Sequence, residues 1–131
     1  MVKLDQLLRS VTSSTGDPYC PDVGDIISIN FSPQAGREMA GRHFALVLSP
    51  RKYNQFARLC IVCPATGQIK GYPFEVLLPD DLMLGEKGGG CLLSDQMSSL
   101  SWQDRGSRFV CAAPVGALEE VIAKYRTILP L

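Results

Sequence analysis

Residues 36 to 43 read Gly-Arg-Glu-Met-Ala-Gly-Arg-His. One carboxylate (Glu38), two permanent cations (Arg37 and Arg42) and the single histidine of the chain, His43, share this stretch. Such a set suits the cleavage of RNA, whose 2′-hydroxyl is a built-in nucleophile beside the scissile phosphate. The protein has only to take that proton, give one to the departing 5′-oxygen and offset the extra negative charge on phosphorus. No metal or other cofactor is required. Glu38, kept ionised by flanking arginines, fits the base. His43 fits the acid, because imidazole titrates near neutral pH. Arg37 and Arg42 fit the phosphate charge. The competing reading is a solvated loop that feeds a core strand, with His43 packed where the strand begins.

The elements that must position these residues are mostly strands. HFALVLSP (43–50) is an apolar run bounded by Pro50, so the charged stretch sits at the mouth of a buried strand. GDIISINF (24–31) alternates Ile27, Ile29 and Phe31 on one face. LCIVCPAT (59–66), YPFEVLLP (72–79), CLLSDQMSSL (91–100) and RFVCAAP (108–114) read as further strands. RKYNQFAR (51–58) is a connection or a short helix, DDLMLGEKGGG a turn region and SWQDRG a helical turn. The segment 116–131 is the clearest helix, with an apolar stripe of Leu118, Val121, Ile122, Tyr125 and Leu129. Residues 1–20 read as an extension holding a short amphipathic helix (Leu4, Leu7, Leu8, Val11) and a linker, before a domain spanning 21–131. Short strands with one terminal helix predict a mainly β fold, a small antiparallel barrel or half-open sheet that works through its loops.

Composition narrows the class. The 131 residues carry 13 cations and 13 acids, and a hydrophobic share of 46% supports one real core. Locally, Arg37, Arg42, Arg51, Lys52, Arg58 and Lys70 face only Glu38, so a neutral chain can still present a basic surface. No apolar stretch is long enough to span a bilayer and the N-terminus lacks a secretory pattern, so a cytoplasmic location without membrane attachment is expected. Five irregularly spaced cysteines suit reduced thiols, and Cys60-x-x-Cys63 lies in a strand without a second metal-ligating pair. No phosphate-binding glycine loop, HExxH or GxSxG is present, and GEKGGG (85–90) lacks the order of a phosphate cradle.

Four longer pieces carry a family likeness: PDVGDIISINFSP (21–33), GREMAGRHFALVLSPRKYN (36–54), CPATGQIKGYPFEVLL (63–78) and LLSDQMSSLSWQDRG (92–106). Together, in this order and spacing, they resemble the MazF/PemK toxins of type II toxin–antitoxin systems. KGYPFEV and SDQMSSLSW bring the chain closest to the MazF branch. The resemblance implies an SH3-like small antiparallel barrel with a C-terminal helix, assembled as a homodimer. It implies a metal-independent, sequence-specific endoribonuclease that cuts single-stranded RNA, leaving a 2′,3′-cyclic phosphate and a 5′-hydroxyl. It also implies a cognate antitoxin whose acidic segment covers the RNA groove.

By the same resemblance the family's loop glutamate falls on Glu38 and its threonine after the third strand on Thr66. The SDQ motif falls on Ser94, Asp95 and Gln96, and Leu93 stands where the PemK branch has an arginine. At the strand mouth the family writes Gly-x-Arg-Pro, whereas this chain has Gly41-Arg42-His43-Phe44. His43 therefore occupies the position of the catalytic arginine, while Arg42, its neighbour on a strand, points to the opposite face. Either His43 donates the proton with Arg42 or Arg37 stabilising the phosphorane, or the fold is a weakened nuclease kept to bind an antitoxin or a protein target, as the related CcdB toxins do. Arg51, Lys52 and Lys70 are expected phosphate contacts, Asp95 and Gln96 further RNA contacts, and Tyr53, Phe56 and Tyr72 candidate stacking surfaces. Trp102 is expected to pack against a dimer partner or the helix.

Overall fold

The computed structural model describes residues 3–7, 19–32 and 41–130. In chain order the elements are α1 (Leu4–Leu7), β1 (Asp25–Asn30), β2 (Arg42–Val47), α2 (Arg51–Ala57), β3 (Cys60–Thr66) and β4 (Glu75–Leu77). They continue with β5 (Met83–Leu84), β6 (Lys87–Gly88), β7 (Cys91–Leu93), β8 (Ser98–Leu100), β9 (Arg108–Ala112) and α3 (Ala117–Arg126). The main sheet runs β4-β7-β3-β2-β1-β9, with β8 also on β3, and β5–β6 form a separate hairpin. All pairings are antiparallel. The SH3-like, mainly β architecture with its C-terminal helix is the expected one, half-open rather than closed, since β4 and β9 remain as edges among the described strands.

Both faces of the sheet are covered, which is why β1 reads as an apolar run with Ile26, Ile27 and Ile29 all inaccessible. One cluster joins Ile26, Leu46, Cys63, Val76 and Leu92 to Ala117 and Val121 of α3. The other gathers Ile27, Ile29, Phe31, Val47, Val62 and Trp102 on the opposite face. Cys60 and Cys63 fall in different clusters, so the two thiols of the CxxC point away from each other. Burial pushes both up to about 12, keeping them protonated and inert near neutral pH.

β3 bends the sheet. Cys60–Val62 pair with β8, then Ala65–Thr66 pair with β7. Pro64, which has no N–H to offer a ladder, lies where one partner gives way to the other. The segment 91–100 is thus two strands instead of the expected one. The break falls at Ser94, whose N–H and hydroxyl both donate to the Phe74 carbonyl, at 3.1 and 2.6 Å. The strand expected over 72–79 shrinks to Glu75–Leu77, and its late start has a related reason. The buried Glu75 carboxylate accepts the N–H groups of Lys70, Gly71 and Tyr72 at 3.0, 3.1 and 3.2 Å and curls the preceding chain into a turn. The turn region after Pro79 contains the β5–β6 hairpin.

Helix α3 has Glu119 and Glu120 in its first turn and Lys124 and Arg126 in its last, the signs that suit its dipole. Lys124 Nζ donates to the Glu75 carbonyl at 2.7 Å, tying the helix to β4. Ala117 and Val121 are its buried residues, and Ile122, placed on the apolar stripe by spacing, faces outward. Of the N-terminal amphipathic helix, Leu4 and Leu7 fall within α1, while Leu8 and Val11 lie outside the described residues.

Candidate active site

A cleft of about 560 Å³ opens where β2 begins and β3 ends, with the β5–β6 hairpin as its far wall. Arg42, His43, Thr66 and Gln68 line it on the sheet side. The β2–β3 register sets Ala45 opposite Pro64, and two residues further along it Thr66 comes level with His43. His43 shares the face of its β1 partner Ile29, and its ring meets Phe31 edge-on with centroids 6.3 Å apart. Thr66 Oγ1 accepts the Gln68 N–H at 3.2 Å, a local turn bond that leaves its own hydroxyl proton uncommitted among the described residues.

Arg42 is held from two sides. Its guanidinium donates to Ser28 Oγ and to the Gly106 carbonyl, each at 2.9 Å. The φ of 62° at Gly106 lies in the left-handed region that favours glycine, and a Cβ there, 2.7 Å from Arg42 Nη2, would displace the guanidinium from its place. A guanidinium has five N–H donors, so two fixed bonds leave others for an anion.

The loop that carries Arg37 and Glu38 leaves the sheet at Ser32 and returns at Gly41; Arg37 and Glu38 themselves lie outside the described residues. Its base is stapled. Phe31 N–H donates to Gly41 O at 2.8 Å and Gly41 N–H to Ser32 Oγ at 2.7 Å. Arg105 Nη1 donates to the carbonyls of Asn30 and Ser32 at 3.1 and 2.7 Å, and Asn30 N–H returns a bond to Arg105 O at 3.1 Å. Arg105 and Gly106, which close the W-x-x-R-G stretch Trp102–Gly106 at the end of LLSDQMSSLSWQDRG, therefore clamp both the loop base and Arg42. Trp102 of the same motif packs against α2 rather than α3, donating its Nε1–H to Asn54 O at 2.9 Å.

The remaining sequence candidates do not line the cleft. Arg51 and Lys52 sit on α2, beyond the far end of β2, a strand that runs roughly 20 Å. Arg51 N–H donates to Asp22 Oδ1 at 2.9 Å and Lys52 Nζ to Asp5 Oδ1 at 2.6 Å. Tyr53 and Phe56 belong to the same helix. Lys70 lies on the turn folded over Glu75. Asp95 accepts a short hydrogen bond from the Tyr72 hydroxyl, which holds that phenol above its usual range, and Gln96 is exposed in the turn after β7. Sequence reasoning overlooked Arg105, Gly106, Gln68, Glu86 and Lys87. Only the W-x-x-R-G motif signalled the first two, and the hairpin bearing the last two looked like a plain turn.

Fold and cleft together define a small half-open β-barrel with a cationic, hydroxyl-bearing groove at its strand ends. A family model described as PemK-like, MazF-like toxin of type II toxin–antitoxin system matches residues 22–129. The endoribonuclease toxin MazF of Escherichia coli is 45% identical over 89 residues, covering 68% of this chain and 76% of that one. The crystal structure of MazF from Deinococcus radiodurans superposes with a TM-score of 0.80 at 43% identity, over 87% of this chain and all of that one. A MazE–MazF complex from the same organism gives 0.74 at 42% identity, over 86% and 99%. The chain belongs to the PemK-like, MazF-like toxin family, on its MazF side.

Proposed function

We propose that the chain cuts single-stranded RNA at this cleft by 2′-hydroxyl attack, with Glu38 as base, His43 as acid and Thr66 and the arginines on the phosphate. Its class is a toxin endoribonuclease partnered by an antitoxin, as family membership and relatives named endoribonuclease establish. The alternative of a binding protein that has lost cleavage is not favoured by those relatives. The observation that carries the mechanism is that one cleft at the strand mouth is lined by His43 and Thr66 and, from the opposite face of β2, by Arg42, beside the stapled ends of the loop that bears Glu38.

In this mechanism Glu38 takes the 2′-hydroxyl proton, the 2′-oxygen forms its bond to phosphorus, and the bond from phosphorus to the 5′-oxygen breaks. His43 delivers a proton to the departing 5′-oxygen. The products are a 2′,3′-cyclic phosphate and a 5′-hydroxyl. Arg42, already oriented by Ser28 and Gly106, offers its unused N–H groups to the non-bridging oxygens, and the Thr66 hydroxyl donates a further bond. Arg37 supplements that charge, and Arg51, Lys52, Lys70, Asp95 and Gln96 belong to a longer RNA path outside the cleft. No step calls for a metal. The working form is a cytoplasmic homodimer with residues 1–20 as an extension of the catalytic domain. No helix among the described residues is long and apolar enough to cross a membrane.

Mapping 5′-hydroxyl ends in a long unstructured RNA, with EDTA present, tests this directly. Wild-type protein is expected to cut at recurring sites, and Glu38→Ala to cut about two to four powers of ten more slowly. Undiminished cutting by Glu38→Ala would remove the glutamate from the mechanism. Absence of cutting by the wild type at any pH would sink the nuclease reading.

A further inference from the structure

The far wall of the cleft is the tip of the β5–β6 hairpin. Leu84 pairs with Lys87 across the two-residue turn Gly85–Glu86. Gly85 has φ of 73° and Glu86 an ordinary negative φ, the pattern of a type II′ turn, which demands glycine in the first position. The hairpin is seated on the site. Gly85 lies where a Cβ would be 3.6 Å from the Phe44 ring, and a Cβ at Gly90 would run into the Thr66 carbonyl. These approaches fix the distance between the hairpin and the end of β3. They also place Glu86 and Lys87, both exposed, in the lining of the cleft that Arg42, His43 and Thr66 line from the sheet side. Neither side chain makes a hydrogen bond or ion pair with another described residue. A carboxylate and an ammonium adjacent on one hairpin turn, unpaired among the described residues and lining the proposed RNA cleft, are placed to read a ligand.

We propose that Glu86 and Lys87 read a guanine in the RNA, next to the phosphate that is cut. A carboxylate accepts through two adjacent oxygens, so it selects an edge with two neighbouring donors. Among the bases, the Watson–Crick edge of guanine alone offers them, N1–H beside N2–H, with O6 next in line as an acceptor for an ammonium. Cytosine and adenine present one amino group beside acceptors, and uracil one N–H between two carbonyls. Unstacked single-stranded bases expose this edge to protein. Glu86 therefore supplies discrimination, while Lys87 supplies the O6 bond and charge. The inference rests on the ribonuclease reading but concerns which sequence is selected, so the two can fail separately.

The test cleaves a randomised RNA pool with wild type, Glu86→Gln and Lys87→Ala, and measures binding of short RNAs with guanine or inosine at the selected position. Wild type is expected to show an invariant guanine beside the cut. Inosine, lacking the N2 amino group, should bind about tenfold more weakly. Glu86→Gln should lose roughly tenfold or more of its guanine preference and tolerate inosine, whereas Lys87→Ala should weaken binding and keep part of the preference. A wild-type cleavage word without guanine, or one that Glu86→Gln leaves intact, would overturn the proposal. Guanine-dependent binding without cleavage would overturn the nuclease reading and leave the hairpin's role standing. Absence of both would overturn the two together.

Discussion

β2 and β3 run side by side in opposite directions, so each end of the pair joins the start of one strand to the finish of the other, and the two ends are built on contrary rules. At the α2 end, Asn54 is fully buried and all its side-chain bonds stay within the protein. Its Nδ2 donates to the carbonyls of Pro21 and Ser49 at 2.8 and 3.0 Å, and its Oδ1 accepts from Ser49 Oγ at 2.6 Å. Ser49 Oγ accepts the Ile61 N–H at 2.8 Å, and Trp102 Nε1 closes the group on Asn54 O. At the other end Thr66, Glu86 and Lys87 face open space with bonding capacity to spare. A polar group saturated from within serves stability, and one left unsaturated at a cleft serves a ligand. Polar groups are thus saturated within the protein at one end of this pair of strands and left open to a cleft at the other.

Crossing the two ends gives the largest effects. His43→Ala is expected to slow RNA cleavage by about two to four powers of ten, with a loss of stability below about 1 kcal/mol, since the side chain is only partly buried. Asn54→Ala should do the reverse. It strands two buried carbonyls and a hydroxyl, costing about 3 kcal/mol and roughly 10 °C in Tm, with turnover per folded molecule retained. Single-turnover rates and thermal melts on both variants check the contrast. A His43→Ala protein that cleaves like wild type would return His43 to a packing role.

Arg105 sharpens the comparison, because it belongs to the folded scaffold and acts on the cleft. Its bonds to the carbonyls of Asn30 and Ser32 fix where the loop bearing Glu38 departs. Arg105→Ala is expected to lower kcat about tenfold with KM changed less than about twofold, because displacing the loop that carries the proposed base affects the reaction more than binding. Arg105→Lys, whose ammonium can still reach carbonyls, should recover part of kcat. Equal losses in kcat and in the fraction folded would make Arg105 merely structural.

How far these features could be read beforehand depended on the range of the force responsible. Alternation of Ile27, Ile29 and Phe31, and the run from Phe44 to Leu48, revealed β1 and β2 because burial acts residue by residue. The break at Ser94 was hidden, because it depends on the carbonyl of Phe74, twenty residues away. The late start of β4 depended on a glutamate whose carboxylate curls the chain before it into a turn. In the site, His43 and Thr66 were legible through family motifs, and the cleft contains both. Glu86 and Lys87 were not, since nothing local in GEKGGG says that it folds beneath Phe44 and against Thr66. Glycines that read as looseness in the sequence act here as close approaches between backbones.

The smallest expected effect lies at the α2 end, where Lys52 and Asp5 approach to 2.6 Å while 68% and 74% of their side chains remain exposed. Water and salt screen such a pair, and holding two mobile side chains together costs entropy. A double-mutant cycle of Lys52→Ala and Asp5→Ala should give a coupling of about 0.5 kcal/mol or less, vanishing in about 1 M salt, where the screening length falls to ~3 Å. Because Asp5 lies on α1, the same cycle measures how firmly α1 is held to α2 through this pair. A coupling above about 1 kcal/mol that survives salt would mean that α1 is docked by more than charge. The α2 end would then be an internally satisfied surface that includes α1, rather than one that stops at Asn54 and Trp102.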